Sequence, residues 1–364
     1  MCYNQKSFAL IFLCFFVFYF FVFPGCAARY GDFEKTIHEA WNFERKRNYI
    51  EAINQIQKAI KILDNAKDKD SPAIKRNRIW VLLYQGRLLV KVGDYENARK
   101  IFEWVEENAM DYSDRGRALY EKGLIEEKIG NREEEKKIFL QFIKKYPEHG
   151  LCSIALKKIM FIVEESSGRE GLRSFLESLL ADALKTSFGD DILWELAKLE
   201  KKAGNFERAE NYLLEIDKKY PYPKGGTAFD YLFLLAEMEK ERGNYEKAIQ
   251  WLRKVEKTGE IPHLIGSYGE SDKAKTLLAL GKIYLEDLHQ PDKAFKEFMK
   301  LVKLDFKTSS DDGLWWASQA LFSQGNEKEA CDLLRKLVKK YEYSNFKRES
   351  LSVLQSQKCS KFYP

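Results

Sequence analysis

A short turn motif recurs along this sequence and limits the folds open to it. The motif is a glycine followed by Asn or Asp and an aromatic residue, with an alanine five residues beyond the glycine. Glycine adopts the left-handed backbone conformation of a helix C-cap without steric cost, so each motif predicts the end of one helix and the start of another. Such a repeat predicts an array of helical hairpins. Clear copies begin at Gly93, Gly204 and Gly243, and weaker copies at Arg47, Gly130 and Gly325.

Two further positions recur around these turns. A small residue stands seven positions before each turn, and a large apolar residue stands nine positions after it. Small side chains allow the two helices of a hairpin to approach closely, and the large residue is expected to act as an apolar knob. The small residues are Ala40, Gly86, Gly123, Ala197, Ala236 and Ser318, and the large ones are Ile56, Phe102, Phe139, Leu213, Leu252 and Leu334.

These residues give the chain a clear resemblance to the tetratricopeptide repeat family. Pro147 and Pro221 lie seventeen residues past their turn glycines, where that family often ends its second helix. Two less regular units complete the series, one with its turn at Ser167-Gly168 and one with its turn stretched over 288–291. The resemblance implies an all-α, right-handed superhelical solenoid of about eight hairpins over residues 26–364.

The repeat spacing exceeds the ~34 residues usual in that family, and the surplus falls in two insertions. Residues 64–72 are charged and helix-breaking, and residues 258–272 include Gly259, Pro262, Gly266 and Gly269, so both are predicted to be loops. Loops of this length in a solenoid either carry function or are only tolerated. The sequence leaves both interpretations open.

Near the N-terminus, residues 8–23 form an unbroken apolar run, and Pro24-Gly25-Cys26 follows at once. This arrangement resembles the signal peptide and lipobox of bacterial lipoproteins. This run suits a secretory signal better than a membrane span, which needs about 20 residues. The resemblance implies cleavage of residues 1–25, lipidation of Cys26 and anchoring in the cell envelope; Ala27 in place of aspartate favours the outer membrane, facing the periplasm. The alternative is an uncleaved N-terminal anchor.

Charge and cysteine content narrow the function classes. With 61 Lys and Arg against 56 Asp and Glu, the chain lacks the single-sign field of a nucleic-acid-binding protein. Cys152, Cys331 and Cys359 lie beyond the N-terminal segment. Cys331 and Cys359 could form a disulfide in an oxidising periplasm, but our prediction is three isolated, small apolar side chains.

No arrangement of reactive residues indicates an enzyme. The four histidines form no i,i+4 pair, and the sequence lacks a phosphate-binding loop, a dinucleotide fingerprint and a Gly-x-Ser-x-Gly elbow. Asp64, Asp68 and Asp70 lack the glycine and the terminal glutamate of a calcium loop. We therefore expect no catalysis, no cofactor and no metal site.

A binding groove is the better-motivated site. In the tetratricopeptide family the first helices of successive hairpins line a concave face, and the position ten residues before the turn glycine points into it. Recurring aromatic residues there could form a ladder for a peptide or small ligand, because they are large and lose little entropy on binding. The alternative is that they pack between adjacent units. The predicted partner-binding residues are Tyr120, Trp194, Phe233 and Trp315, and Leu83 holds the same position.

The favoured hypothesis is a lipid-anchored scaffold that binds an envelope protein or peptide during outer-membrane assembly or maintenance. Helix endings such as Lys218-Lys219-Tyr220-Pro221 resemble those of periplasmic tetratricopeptide proteins of envelope biogenesis, including the lipoprotein subunit of the barrel-assembly machine and the Tol–Pal coordinator. An alternative is a transport accessory that binds a small or hydrophobic ligand together with a substrate-binding protein. A third is a surface-exposed adhesin.

Overall fold

The computed structural model of the protein describes residues 31–221, 224–226, 229–258, 268–304 and 309–362. These residues form helices joined by turns, and no strand occurs among them. The predicted all-α fold is confirmed. The predicted signal peptide, Cys26 and residues 259–267 of the second insertion lie outside the described residues. Within the described ranges, no helix combines the length and the apolar character that crossing a membrane requires.

The chain divides into two compact units at Phe175. Among its described residues, the first unit contains six complete helices and the first part of a seventh, which breaks at Gly168 because that residue has a φ of 66°. The helices are α1 (Gly31–Arg45), α2 (Tyr49–Asp64), α3 (Pro72–Val92), α4 (Tyr95–Asn108), α5 (Tyr112–Ile129), α6 (Arg132–Lys145) and α7 (Cys152–Ala183).

The second unit continues the same pattern. Counting the two arms of α7 as one pair, the described helices form eight hairpins, followed by two short helices at the C-terminus. Further helices are α8 (Gly189–Lys202), α9 (Phe206–Lys219), α10 (Asp230–Glu241), α11 (Tyr245–Thr258), α12 (Tyr268–Lys282, continued by a π-helical turn over Ile283–Asp287), α13 (Pro291–Lys303), α14 (Ser310–Ser323), α15 (Glu327–Lys340), α16 (Lys347–Gln355) and α17 (Gln357–Ser360).

The second insertion is shorter than predicted. Helix α12 begins at Tyr268, so residues 268–272 of the predicted loop are helical. The first insertion is bounded by Asp64 and by Ser71, whose Oγ accepts a hydrogen bond from the Ile74 N–H at 3.4 Å and caps α3.

Left-handed glycines end the first helices of the hairpins, as the sequence predicts. The φ angle is 84° at Gly93, 79° at Gly130 and 81° at Gly204. In the first hairpin Arg47 takes this conformation, with a φ of 57°. A residue with a Cβ is uncommon in this region. The first turn therefore has the backbone conformation of the motif but lacks its glycine.

A buried glutamate explains why asparagine follows the turn glycine. The Asn244 amide donates to Oε2 of Glu239 at 2.8 Å, and the Asn205 amide donates to Oε2 of Glu200 at 2.7 Å. Glu239 is 1% exposed and Glu200 is 0% exposed. Arg242 also donates to Glu239. A buried carboxylate is costly unless it is paired and hydrogen-bonded, so the turn asparagine stabilises the helix that precedes it.

In the hairpins that contain glycine at the small position, the large residue packs directly on that glycine. A Cβ atom added to Gly86 would lie 2.5 Å from Cε1 of Phe102, and one added to Gly123 would lie 2.5 Å from Cε1 of Phe139. Both rings are fully buried. Glycine therefore pairs with phenylalanine, whereas alanine or serine pairs with leucine or isoleucine. The pairs are Gly86/Phe102, Gly123/Phe139, Gly281/Phe298, Ala40/Ile56, Ala197/Leu213, Ala236/Leu252 and Ser318/Leu334.

A disulfide joins Cys331 of α15 to Cys359 of α17, with the two Cα atoms 5.7 Å apart. The prediction of three isolated cysteines is therefore wrong for this pair, whereas Cys152 forms no disulfide and its buried thiol donates to the Tyr146 carbonyl oxygen at 3.0 Å. The pairing arises because the chain reverses after α15, so that α16 and α17 pack back against it. The separation of 28 residues does not by itself reveal that reversal.

Candidate functional site

Tyr120, the first of the predicted partner-binding residues, lies in the core of its own hairpin. Its ring on α5 is 7% exposed and contacts Phe139 and Phe142 of α6, with ring centroids 5.3 and 5.6 Å apart. Burial raises the pKa of the Tyr120 hydroxyl. Leu83, at the same position on α3, is 5% exposed. This repeat position therefore leaves little surface for a partner in the first unit.

Trp194 and Phe233 are half-buried in the second unit. Both pack against the apolar cluster formed by α8 to α11, and the Lys198 ammonium lies 5.4 Å from the centroid of the Trp194 ring. Trp315 on α14 stacks on Phe346, with centroids 5.0 Å apart and planes 7° from parallel. The chain's own side chains thus cover a face of both tryptophans. Among the ring contacts of the described residues, none joins two of the four predicted side chains.

The first two hairpins carry a more open aromatic surface. Trp41 of α1 and Trp80 of α3 are 46% and 39% exposed, and their rings meet edge to face with centroids 6.4 Å apart. They border a cleft of about 850 Å³, called here the Trp41/Trp80 cleft. Its apolar wall includes the buried Phe33 and Ile37. Its polar lining is Glu34, Lys35, His38, Glu39 and Asn77.

The helical period explains how α1 places these side chains. Phe33, Ile37 and Ala40 are buried, and their spacing of four and three residues defines one face of a helix. Trp41 follows Ala40 directly, so it lies about 100° round the helix from the buried face. There its ring contacts Trp80 on one side and His38 on the other, at 6.4 Å between centroids in each case.

A charged cluster fixes the far edge of this surface. The Tyr84 hydroxyl donates to Oε2 of Glu44, and the Lys91 ammonium donates to Oε1, both at 2.5 Å. Burial opposes ionisation of Glu44, but the two hydrogen bonds and the Lys91 charge outweigh it and lower the pKa of the carboxyl. The Tyr84 ring in turn lies 5.8 Å from the Trp80 ring. Glu44 therefore positions a wall that adjoins the cleft.

A second cleft, of about 590 Å³, adjoins the first insertion. Trp104 on α4 lines it and is 42% exposed, but the Arg78 guanidinium lies 5.9 Å from its ring centroid. Arg78 also forms an ion pair with Asp64, and Lys75 pairs with Asp70 at 3.5 Å. Since the chain's own groups already engage these charges, this cleft is a weaker candidate than the Trp41/Trp80 cleft.

The predicted partner-binding position and the positions of the exposed Trp41 and Trp80 differ by a fraction of a helical turn. Trp41 stands six residues before its turn, and Trp80 stands thirteen before Gly93. Seven residues make almost two full turns, so these two positions share a face, whereas the position ten before the turn is rotated by roughly 40–60° from them. That rotation carries Leu83 and Tyr120 into the core. A search for aromatic residues six and thirteen positions before the turns would have found the two indoles that border the cleft.

Titratable side chains in the described residues form no metal-binding cluster. No group of three or more His, Cys, Asp or Glu side chains in that part of the chain is placed to hold a metal ion. Burial raises the pKa of the Glu121 carboxyl on α5, against the opposing charges of Arg87 and Arg117. Arg87 lies 4.0 Å away, which makes Glu121 a buried, loosely paired acid in the wall of the first unit.

Comparisons with known proteins identify the repeat. Tetratricopeptide repeat models match residues 194–260, and residues 117–149 and 312–342. A solved tetratricopeptide repeat protein from Parabacteroides merdae is 15% identical, with 80% of this chain and 99% of that chain covered and a TM-score of 0.34. Part of a repeat protein from Cytophaga hutchinsonii is 17% identical, with 60% and 78% covered and a TM-score of 0.41. No curated protein sequence matches.

The matched segments coincide with hairpins that carry the structural features of the motif. Residues 194–260 include the left-handed Gly204 and Gly243 and both asparagine–glutamate contacts. Residues 117–149 include the Gly123/Phe139 pair. Residues 117–149, 194–260 and 312–342 of this chain are therefore tetratricopeptide repeats by sequence, and they fold as helical hairpins.

Proposed function

We propose that this protein is a lipid-anchored protein-binding scaffold of the bacterial cell envelope, and that the Trp41/Trp80 cleft is its partner-binding surface. One observation carries the choice of surface: two neighbouring indoles are each more than a third exposed and border a cleft with an apolar wall. Residues that dominate binding energy at protein interfaces are enriched in tryptophan and tyrosine. Tetratricopeptide repeats supply the scaffold, and these indoles supply the contact.

Two features at opposite ends of the chain support an envelope location. The apolar run with Gly25-Cys26 resembles a lipoprotein signal. The Cys331–Cys359 disulfide fits an oxidising compartment, since disulfides are rare where cytosolic reductants keep thiols reduced. Ala27 after the cysteine supports sorting to the outer membrane. A partner in outer-membrane assembly or maintenance would bind the protein on the periplasmic side of that membrane.

A transport accessory is the second candidate. The cleft of about 850 Å³ falls within the range of small-molecule sites, which are mostly apolar with a few polar groups. A ligand retained through purification and detected by native mass spectrometry would favour this function. Its loss in Trp80→Ala would place the ligand in the cleft.

Site-specific crosslinking in cells tests the partner-binding surface. A photoreactive phenylalanine at position 80 should give a discrete crosslinked protein, because the side chain faces the cleft. The matched control is position 104, which is similarly exposed but lies under Arg78. Equal crosslinking from both positions, or none from position 80, would contradict the proposed surface. The double variant Trp194→Ala with Trp315→Ala tests the aromatic ladder predicted from the sequence in the same assay.

Cys26→Ser tests the anchor separately. The variant should lose incorporation of a labelled fatty acid and leave the membrane fraction, since no thiol remains at position 26 to carry lipid. Full labelling and membrane association of the variant would rule out lipidation at Cys26.

A further inference from the structure

The chain's own cations cover most of its tryptophans, and two are left open. Four indole rings lie beneath a Lys or Arg of the chain, and Trp315 is stacked on Phe346. Within the described residues, no such cation lies over Trp41 or Trp80, whose ring contacts are with aromatic side chains. The covered pairs are Arg78/Trp104, Lys198/Trp194, Lys254/Trp251 and Lys282/Trp316, at 5.9, 5.4, 5.6 and 4.4 Å.

The rim of the Trp41/Trp80 cleft has an excess of negative charge. Two carboxylates, those of Glu34 and Glu39, line the cleft, whereas Lys35 is the one Lys or Arg among the described lining residues. No ion pair of the described residues engages either carboxylate. Part of the role of Glu34 is local, because it lies in the first turn of α1, where a carboxylate stabilises the helix dipole. Glu39 lies in the middle of the helix and has no such explanation.

We propose that the cleft binds a basic segment of a partner protein through an Arg or Lys side chain set against the open faces of Trp41 and Trp80. The proposal rests on the proposed function as a protein-binding scaffold and names the chemistry of the partner. A cation within about 6 Å of an indole centroid is attracted by the ring quadrupole. Glu34 and Glu39 add the countercharge, and the apolar wall of Phe33 and Ile37 accommodates the aliphatic stem of the side chain.

The shape of the cleft favours a polypeptide over a small quaternary ammonium ion. The two indoles are 86° from parallel and touch at an edge, so they form a corner that is open on its other sides. A closed aromatic cage is the usual site for an isolated methylated ammonium. The volume of about 850 Å³ matches a ligand of drug size or a few residues of chain, which is much larger than one ammonium group.

Calorimetry on the full-length protein tests this chemistry. The probe is a capped Leu-Arg-Leu-Arg-Leu peptide, and its partner is the same peptide with citrulline at both arginines, which keeps the shape and removes the charge. We expect the arginine peptide to bind at least ~10-fold more tightly, in line with a desolvated cation–π contact. Trp80→Leu and the pair Glu34→Gln with Glu39→Gln should each weaken it several-fold.

Trp104→Leu is the matched control, because Trp104 is as exposed as Trp80 but is already covered by Arg78. Its affinity for the arginine peptide should equal that of the wild type, and the thermal midpoints of both tryptophan variants should stay close to it. Equal binding of the two peptides, an equal loss in Trp104→Leu, or tetramethylammonium binding as tight as the peptide would each overturn the proposal. If position 80 crosslinks a protein in cells while the arginine peptide fails to bind, the basic partner is refuted and the scaffold function stands.

Discussion

Replacing Gly86 with alanine should destabilise the first unit, although alanine is the better helix former. The added Cβ would lie 2.5 Å from Cε1 and 2.6 Å from Cζ of Phe102, whereas ordinary contacts begin at 3.4 Å. The buried ring must move by almost 1 Å, and overpacking of this kind costs typically 1–3 kcal/mol. Alanine returns about 1 kcal/mol of helix propensity. Because the contact is close and involves three ring atoms, we take the upper end of this range, about 3 kcal/mol, and expect a net loss of about 2 kcal/mol after the gain in propensity.

A second substitution, taken from the size-matched pairs of the other hairpins, should restore the stability lost in Gly86→Ala. Phe102→Leu alone should cost roughly 1–2 kcal/mol, because it leaves a gap opposite the glycine. The double variant recreates an alanine–leucine pair like Ala197/Leu213, so it should lie within about 1 kcal/mol of the wild type. The two substitutions would then be coupled by about 2 kcal/mol or more, which is within the range for residues in direct contact.

Urea unfolding followed by circular dichroism measures all three variants. Gly150→Ala serves as the control, because a Cβ there meets no atom within 4 Å, and we expect a change of less than about 0.5 kcal/mol. Additive losses in the double variant, or a Gly86→Ala protein as stable as the wild type, would refute size matching as the reason for the glycine.

Three further perturbations test other contacts. Glu44→Gln should make the free energy of unfolding fall less steeply at acid pH. The pKa of Glu44 is lowered in the folded state, so the folded state binds fewer protons than the unfolded state, and the stabilisation by this carboxylate is lost as the pH falls below about 4.3. Identical pH profiles of the melting temperature for the variant and the wild type would contradict this. Changing Cys331 and Cys359 to serine should cost roughly 3–4 kcal/mol in urea unfolding, the loop-closure value for this separation, and a loss below about 1 kcal/mol would argue against it. Asn244→Ala should cost about 1–3 kcal/mol, because it removes a donor to a buried carboxylate. The Asn326 amide instead bonds to a glutamine at the surface, so Asn326→Ala should cost less than about 0.5 kcal/mol. Equal losses in the two variants would contradict this explanation.

The repeat was readable from the sequence because its requirements are local. A left-handed turn needs a residue such as Gly93 or Gly204, and a close crossing needs a small residue such as Gly86; both demands fall at fixed distances along the chain. The turn asparagine was visible too, but its purpose was not. Glu239 becomes its partner only when the helix has formed and turned the carboxylate inwards.

The candidate site was harder to predict, because it depends on rotation about a helix axis and on contacts distant in sequence. A shift of three residues separates buried Tyr120 from a position equivalent to that of exposed Trp80. Trp315 has a suitable position, but Phe346 covers it, and that contact depends on the chain reversing after α15. The same reversal creates the disulfide. Sequence patterns specify the repeated unit, whereas the surfaces left open depend on what packs beside each unit.

The disulfide also affects where the second unit can open. In a repeat array each hairpin is held mainly by its neighbours, so the terminal elements, with a neighbour on one side, fray most easily. Here the last helix is covalently held to α15 through Cys331 and Cys359, both fully buried. Amide hydrogens of α15 should therefore exchange slowly while the bridge is intact and much faster after reduction. The C-terminus, usually the first part of a chain to loosen, would be among the last parts of this unit to open.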